Sequence, residues 1–299
     1  MQRIVTILSL LFCLSLSYSQ TYNQLVVDDK GKEKLLGKIN REGLTSNSFK
    51  SWFDKNYDNY ILNEKLINTI KDSLNDYTIM LFLGTWCGDS KREVPRFYKV
   101  LDAANFPEDQ LEVIAVDRTP EAYKKSPTGE EKGLNIHRVP TFIFYKNGKE
   151  INRIVESPQA TFEHDIKAII EGKYTPKYVA ANYIDGLIKQ QGIDTLKTME
   201  TSLVSTLSEF VQGSRELNTF GYVRLRAKRF NEAIYVFDLN TKIFPYRDNV
   251  FDSLGEAYYE SKNYSEALKS YKKVIEFSPK NENAMKMITK IEAIERTRR

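Results

Sequence analysis

Ile79-Met80-Leu81-Phe82-Leu83-Gly84-Thr85-Trp86-Cys87-Gly88-Asp89-Ser90 decides how this chain is read. An apolar run of that length, closed by a glycine, has the character of a buried strand, and the residues after it carry a helical pattern. Cys87 therefore falls at a strand-to-helix turn. Unpaired backbone N–H groups and the helix dipole at such a turn favour a thiolate over a thiol. A lone thiol placed there attacks a disulfide but cannot resolve the adduct it forms. The other place for a single cysteine is inside a core, packed as a small inert hydrophobe; the surrounding turn favours a partly exposed position at a helix start.

The chain has 299 residues, 41% hydrophobic and 28% charged, enough for one full core and room for a second. Met1-Gln2-Arg3 carries a positive charge, Ile4 to Leu16 is almost wholly apolar, and Ser17-Tyr18-Ser19 supplies small residues before a break at Gln20. Residues 1–19 are expected to be a secretory signal peptide. The run is shorter than the roughly 20 apolar residues that span a bilayer, and no other segment approaches that length. The expected product is an exported protein without a transmembrane segment in the mature chain, in the periplasm or released. Cys13 would leave with the signal peptide; the bulky Phe12 before it argues against a lipoprotein attachment site. Cys87 would then be the one mature cysteine in an oxidising compartment, free, paired with another molecule, or acting transiently.

Further signals run from about 37 to 172. Leu62, Leu66, Ile67, Ile70 and Leu74 place an apolar stripe on one helix face before the strand. Lys91 to Ala104 reads as a helix interrupted by Pro95, where a proline removes a backbone bond and kinks the helix. Leu111 to Val116 and Thr141 to Tyr145 read as buried strands, with Asn147-Gly148 as a hairpin signal before Ile151 to Val155. A helix from Ala160 to Ile170 follows.

These features resemble the thioredoxin family, with Trp86-Cys87-Gly88-Asp89-Ser90 at the active-site turn. Pro95 lies eight residues past Cys87, as the family's helix proline does. The resemblance implies an α/β thioredoxin fold over 20–172, with an N-terminal extension. Cys87 becomes the nucleophile, Ser90 stands where the second cysteine would, and Pro140 is the cis-proline that faces the nucleophile; Trp86, Gly88, Asp89, Val139 and Thr141 support them. Two departures bear on turnover: the resolving position holds Ser90, and the buried acid six residues before the nucleophile is replaced by Leu81. Serine cannot expel a product from a mixed disulfide, because that step needs a sulfur nucleophile. Ser90 could donate a hydrogen bond to the Cys87 thiolate, which Asp89 would oppose and Lys91 and Arg92 support. His137 reads first as a solvent-exposed loop histidine, with a place near the thiolate as the alternative, and His164 has no visible role.

From about 173 onward the strand signals stop. In a 34-residue frame, 248–281 places Phe251, Leu254, Gly255, Tyr258, Ala267, Tyr271 and Pro279 as a tetratricopeptide repeat (TPR) does. The frame before it, 214–247, aligns Leu217, Phe220, Gly221, Ala233, Phe237 and Pro245. This resembles an all-α TPR domain, in which small residues let paired helices approach and aromatics fill the gap. Residues 173–213 read as a helical linker or degenerate repeat, a hairpin of 177–190 and 193–210 with Met199 at the alanine position. Residues 282–299 read as a capping helix, with Met287, Ile288, Ile291 and Ile294 on one side. The resemblance places Asn218, Tyr222, Arg226, Asn249, Asp252, Glu256 and Tyr259 on a concave partner-binding surface; ordinary solvated positions are the alternative.

The combination of a thioredoxin-like domain with TPR repeats resembles exported proteins of Bacteroidetes-type bacteria. No cofactor is expected: phosphate loops, zinc-ligand clusters and Ser-His-Asp patterns are missing from the sequence, and two histidines make a transition-metal site improbable. A net charge of +4 gives no reason to expect nucleic acid. Two functions remain. In one, Cys87 performs thiol-disulfide exchange or captures client proteins as mixed disulfides, the TPR groove binds the client, and an external thiol reductant resolves the adduct. In the other, the protein is a non-catalytic binding scaffold that has lost redox activity.

Overall fold

The computed structural model describes residues 22–297. The expected signal peptide, with Cys13, lies outside the described residues, as do the last two arginines. The first part runs β1 (Gln24–Val27), β2 (Glu33–Ile39), α1 (Arg41–Leu44), α2 (Lys50–Asp58), α3 (Glu64–Leu74), β3 (Thr78–Leu83), α4 (Gly88–Ala103), β4 (Leu111–Ala115), β5 (Thr141–Lys146), β6 (Lys149–Val155) and α5 (Phe162–Ile170). The strands form a six-stranded mixed sheet in the order β1-β2-β4-β3-β5-β6, with β3 parallel to β4 and antiparallel to β5.

The two faces of β3 follow strand alternation. Ile79, Leu81 and Leu83 enter the large core with Phe97, Phe142, Phe144 and Phe162, while Met80 and Phe82 belong to a smaller cluster with Ile114, Val116, Ile143, Trp86 and Cys87. Helices α3, α4 and α5 pack on the first face. The irregular segment 116–140 covers the second, and α6 (Val179–Gln191) packs outside it, where Asn135 donates to Asn182 Oδ1 at 2.7 Å. The expected hairpin joins β5 to β6 with Asn147 at φ 53° and Gly148 at φ 73°, the paired positive angles that a two-residue turn of this hand needs.

After α6 come α7 (Ile193–Thr198), α8 (Glu200–Ser208), α9 (Ser214–Arg226), α10 (Phe230–Ile243), α11 (Asp248–Glu260), α12 (Tyr264–Phe277) and α13 (Glu282–Thr297). The arm expected to run unbroken from 193 to 210 is two helices instead. Met199 separates them at φ −106°, ψ 11°, and it is exposed rather than packed at the alanine position. Leu196, Leu203 and Leu207 carry that arm's burial, against α6, α9 and α10.

Helices α9 to α12 pair as the small residues require. An added Cβ at Gly221 would lie 2.4 Å from the Phe237 ring, and one at Gly255 would lie 3.1 Å from the Tyr271 ring. The difference predicts unequal outcomes for one substitution. Alanine in a helix gains about 1 kcal/mol over glycine, and overpacking a core costs about 1–3 kcal/mol. Gly255→Ala, where the ring must give by tenths of an ångström, should leave the urea midpoint nearly unchanged. Gly221→Ala should destabilise by about 1–2 kcal/mol, because a Cβ 2.4 Å from the buried Phe237 ring forces that ring or the helix to shift further than the 3.1 Å approach to the equally buried Tyr271 does. Equal midpoints for the two variants would contradict this packing.

Candidate functional site

Cys87 is the N-cap of α4 and is partly exposed. Its N–H donates to Gly84 O at 2.8 Å and its carbonyl accepts from Lys91 N at 3.0 Å, so the turn closes tightly on both sides of the sulfur. Gly84 cannot carry a side chain, since a Cβ there would sit 2.5 Å from the Trp86 ring. Trp86 lies over the turn and donates from Nε1 to Val116 O at 2.9 Å, which ties it to the end of β4. Gly88 is exposed, and Asp89 is half-buried and paired with Arg92 at 2.7 Å. That pairing places the nearby negative charge against its own counter-ion.

The sulfur faces the loop before β5. The Cys87 thiol donates to Val139 O at 3.3 Å, and the Val139–Pro140 peptide is cis. Thr141 holds the loop by donating from its hydroxyl to Arg138 O at 2.8 Å, and Pro140 O accepts from Glu156 N at 2.7 Å. Ser90 is fully buried, and its hydroxyl accepts from Gly84 N at 3.2 Å. The expected hydrogen bond to Cys87 is not made: Ser90 Oγ supports the floor of the turn instead. Leu81 is fully buried in the large core.

His137 is a correction. It is 1% exposed rather than a solvent-facing loop residue. Nδ1 lies 3.1 Å from Asn135 O, and because a carbonyl only accepts, that nitrogen carries the proton. Nε2 is buried without a partner. Burial pulls its pKa down to about 3, and the cations Arg138, Arg153 and Lys124 act in the same direction. His164 is exposed at the start of α5.

Residues that the sequence did not single out join this site to the helices. Arg138, just before the cis peptide, pairs with Glu156 at 2.7 Å and stacks over the Tyr178 ring at 4.1 Å. It also donates to Arg215 O at 3.3 Å and to Thr219 Oγ1 at 3.4 Å, both on α9. Tyr178 closes the set by donating to Glu156 at 2.5 Å. Tyr123 and Lys124 stand on the irregular segment next to them, and no periodicity marks either residue.

The seven residues expected on the concave surface lie together along α9 and α11, and much of their polarity is spent within the stack. Tyr222 donates to Glu256 at 2.8 Å, Arg226 pairs with Glu256 at 2.5 Å and with Glu260, and Asn283 donates to Asp252 at 2.8 Å. Asn218 donates to Asn249 O at 3.4 Å, and Tyr259 packs against Tyr264 with Lys290 over its ring. Burial raises the pKa of Asp252.

A cysteine at a helix start against a cis-proline loop, on a sheet of this order with helices following, defines a thioredoxin-like domain joined to a TPR-containing helical region. Residues 45–167 match the thioredoxin family model and residues 255–285 match a TPR repeat model. Among the relatives, Thioredoxin-1 of Schizosaccharomyces pombe is 31% identical over 93 residues, 29% of this chain and 75% of that protein. Thioredoxin Asp f 29 of Aspergillus fumigatus is 30% identical over 84 residues, 28% of this chain and 69% of its own length. Thioredoxin H2 of Arabidopsis thaliana is 28% identical over 102 residues, 34% of this chain and 68% of its own length. The chain belongs to the thioredoxin family. Among the described residues no group of three or more His, Cys, Asp or Glu side chains could hold a metal ion, and no helix is long and apolar enough to cross a membrane.

Proposed function

We propose that this is an exported, monothiol thioredoxin-like protein of the bacterial cell envelope, in which Cys87 forms mixed disulfides with client proteins and a separate thiol resolves them. One observation carries the reading: Cys87 is partly exposed at the start of α4 and its sulfur is directed at Val139 O before the cis-proline, while Ser90 fills the resolving position. The thiolate attacks one client sulfur, the client S–S bond breaks, and the second client sulfur leaves. The adduct then waits for an external thiol, since no second sulfur stands in the turn. The TPR helices, held to the Cys87 loop through Arg138, present the client from α9 and α11. Export is supported by the apolar run after Met1-Gln2-Arg3 and by a site chemistry that needs disulfide-bearing clients.

Iodoacetamide tests the state of the thiol. The folded protein should be alkylated at Cys87 at a rate comparable to, or above, that of the same protein in denaturant. Alkylation only after unfolding would leave the binding-scaffold function in its place.

A further inference from the structure

We propose that Arg138 is a positioning residue of the exchange reaction, tying the cis-proline loop that faces Cys87 to helix α9, so that the docked helices set the geometry of the thiol site; this rests on the monothiol reading above. The sulfur meets the loop at Val139 O, 3.3 Å away. The backbone is fastened on both sides of that atom. Arg138 O accepts from the Thr141 hydroxyl at 2.8 Å, and Pro140 O accepts from Glu156 N at 2.7 Å. The Arg138 guanidinium then pairs with the same Glu156 at 2.7 Å, so one residue grips the loop through its backbone and through its side chain. The other end of the fork leaves the sheet: its second terminal nitrogen donates to Arg215 O at 3.3 Å and to Thr219 Oγ1 at 3.4 Å, both on α9. That helix also bears Asn218, Tyr222 and Arg226 of the surface that would present the client.

Two backbone outliers mark the same place. Glu156, just after β6, has φ 68°, and Tyr178, just before α6, has φ 59°. A bulky residue adopts a left-handed backbone at a cost, and such strain persists where surrounding contacts over-determine it. Here the contacts are mutual: Tyr178 donates to Glu156 at 2.5 Å, and the Arg138 guanidinium lies 4.1 Å over the Tyr178 ring. Other bonds across the junction fasten different residues. Asn135 donates to Asn182 at 2.7 Å, Lys177 to Pro158 O at 2.8 Å, and Lys189 to Gly133 O at 3.3 Å. They hold the helices in place when Arg138 is changed, so its loss loosens the loop rather than undocking the helices.

In the exchange step the Cys87 thiolate bonds to one client sulfur while the client S–S bond breaks and the other sulfur departs with the electron pair. Arg138 gives neither proton nor electron to that step. Its contribution is the position of Val139 and Pro140, the wall opposite the sulfur, and a misplacement of about 1 Å in such a wall costs up to about 100-fold in rate.

The test uses the full chain and a disulfide-linked peptide in single turnover, with iodoacetamide as a small probe that has no disulfide to align against the loop. Arg138→Lys keeps the charge and can still pair with Glu156, but a single ammonium cannot replace a fork that serves Glu156 and α9 together. It should slow thiol release from the peptide by about 10-fold and leave the alkylation rate within about twofold of wild type. Thr219→Val removes one acceptor on α9, at a partly exposed position, with no change of charge. It should slow release by about threefold, again with alkylation preserved. If Arg138 acted only as a cation beside the thiolate, lysine would restore release; if it acted only through stability, release and alkylation would change together. Either result, or wild-type release from both variants, would overturn the proposal. A wild-type chain that is alkylated when folded yet releases no thiol from the peptide would remove the exchange reading itself, and this role with it.

Discussion

Ser90→Cys should convert a protein that releases one thiol per chain into one that reduces insulin disulfides repeatedly in the presence of dithiothreitol. Position 90 lies three residues past Cys87, on the first turn of α4, so a sulfur there stands on the same face as the nucleophile. Attack on the mixed disulfide would become intramolecular, and a tethered group reaches effective concentrations of millimolar or higher. Turnover should then exceed wild type by about 100-fold or more. Ser90 is fully buried, and Leu81 supplies no acid to assist the incoming thiol. A buried thiol deprotonates only above the ordinary cysteine range near 8.5, so turnover should climb steadily with pH through that value. A variant that forms the intramolecular disulfide yet reduces no insulin would show that the groove does not admit a client; a wild-type chain already equal to the variant would sink the monothiol mechanism.

His137 predicts a second large effect, on stability rather than exchange. Its folded pKa of about 3 lies below the reference value of 6.5. Between those values the unfolded chain binds a proton that the folded chain refuses, so stability falls as pH drops through 6.5 and stops falling below about 3. Above 6.5 both states are neutral and the group contributes no slope. The loss is about 1.4 kcal/mol per pH unit, or about 2 kcal/mol at pH 5. Physically, protonating Nε2 would create a buried donor with no acceptor, beside three cations. His137→Leu sacrifices the bond to Asn135 and lowers stability at pH 7, but it should remove this acid slope. Urea unfolding of both proteins at pH 7 and pH 5 measures the difference; parallel losses in the two would show that His137 titrates normally.

Much of the fold could be read from local pattern. β3 is legible because five apolar residues precede a Gly-Thr-Trp-Cys turn, and the β5–β6 hairpin because Asn-Gly supplies the two positive angles its turn needs. The TPR helices are legible because Gly221 and Gly255 sit opposite Phe237 and Tyr271, a constraint that repeats in register. β1, β2 and α2 are less so. Glu33–Ile39 mixes Lys34 and Lys38 with apolar residues and carries Gly37 at positive φ, so its alternation is broken, and Lys34 is buried only through its pair with Asp117 at 2.5 Å. That partner is distant in sequence, and no local rule reaches it.

The site divides in the same way. Trp86, Cys87, Gly88, Ser90 and Pro140 are motif residues, and the structure brings them to one turn and the loop it faces. The exposure assigned to His137 failed because a histidine in an irregular segment looks solvated until the segment is seen to cover a sheet face. Arg138, Glu156 and Tyr178 were invisible for a related reason. Their meaning lies in contacts with one another and with α9, across a junction that sequence spacing does not encode.

The most direct measurement counts thiols. The folded protein, reduced and freed of other thiols, is mixed with excess disulfide-linked peptide, and the released thiol and the intact protein mass are followed together. The mechanism predicts one equivalent of thiol per chain, a mass gain of one half-peptide on Cys87, and arrest until an external thiol is added; Cys87→Ser should release none. Continued release beyond one equivalent, or no adduct from a folded and fully reduced chain, would contradict it.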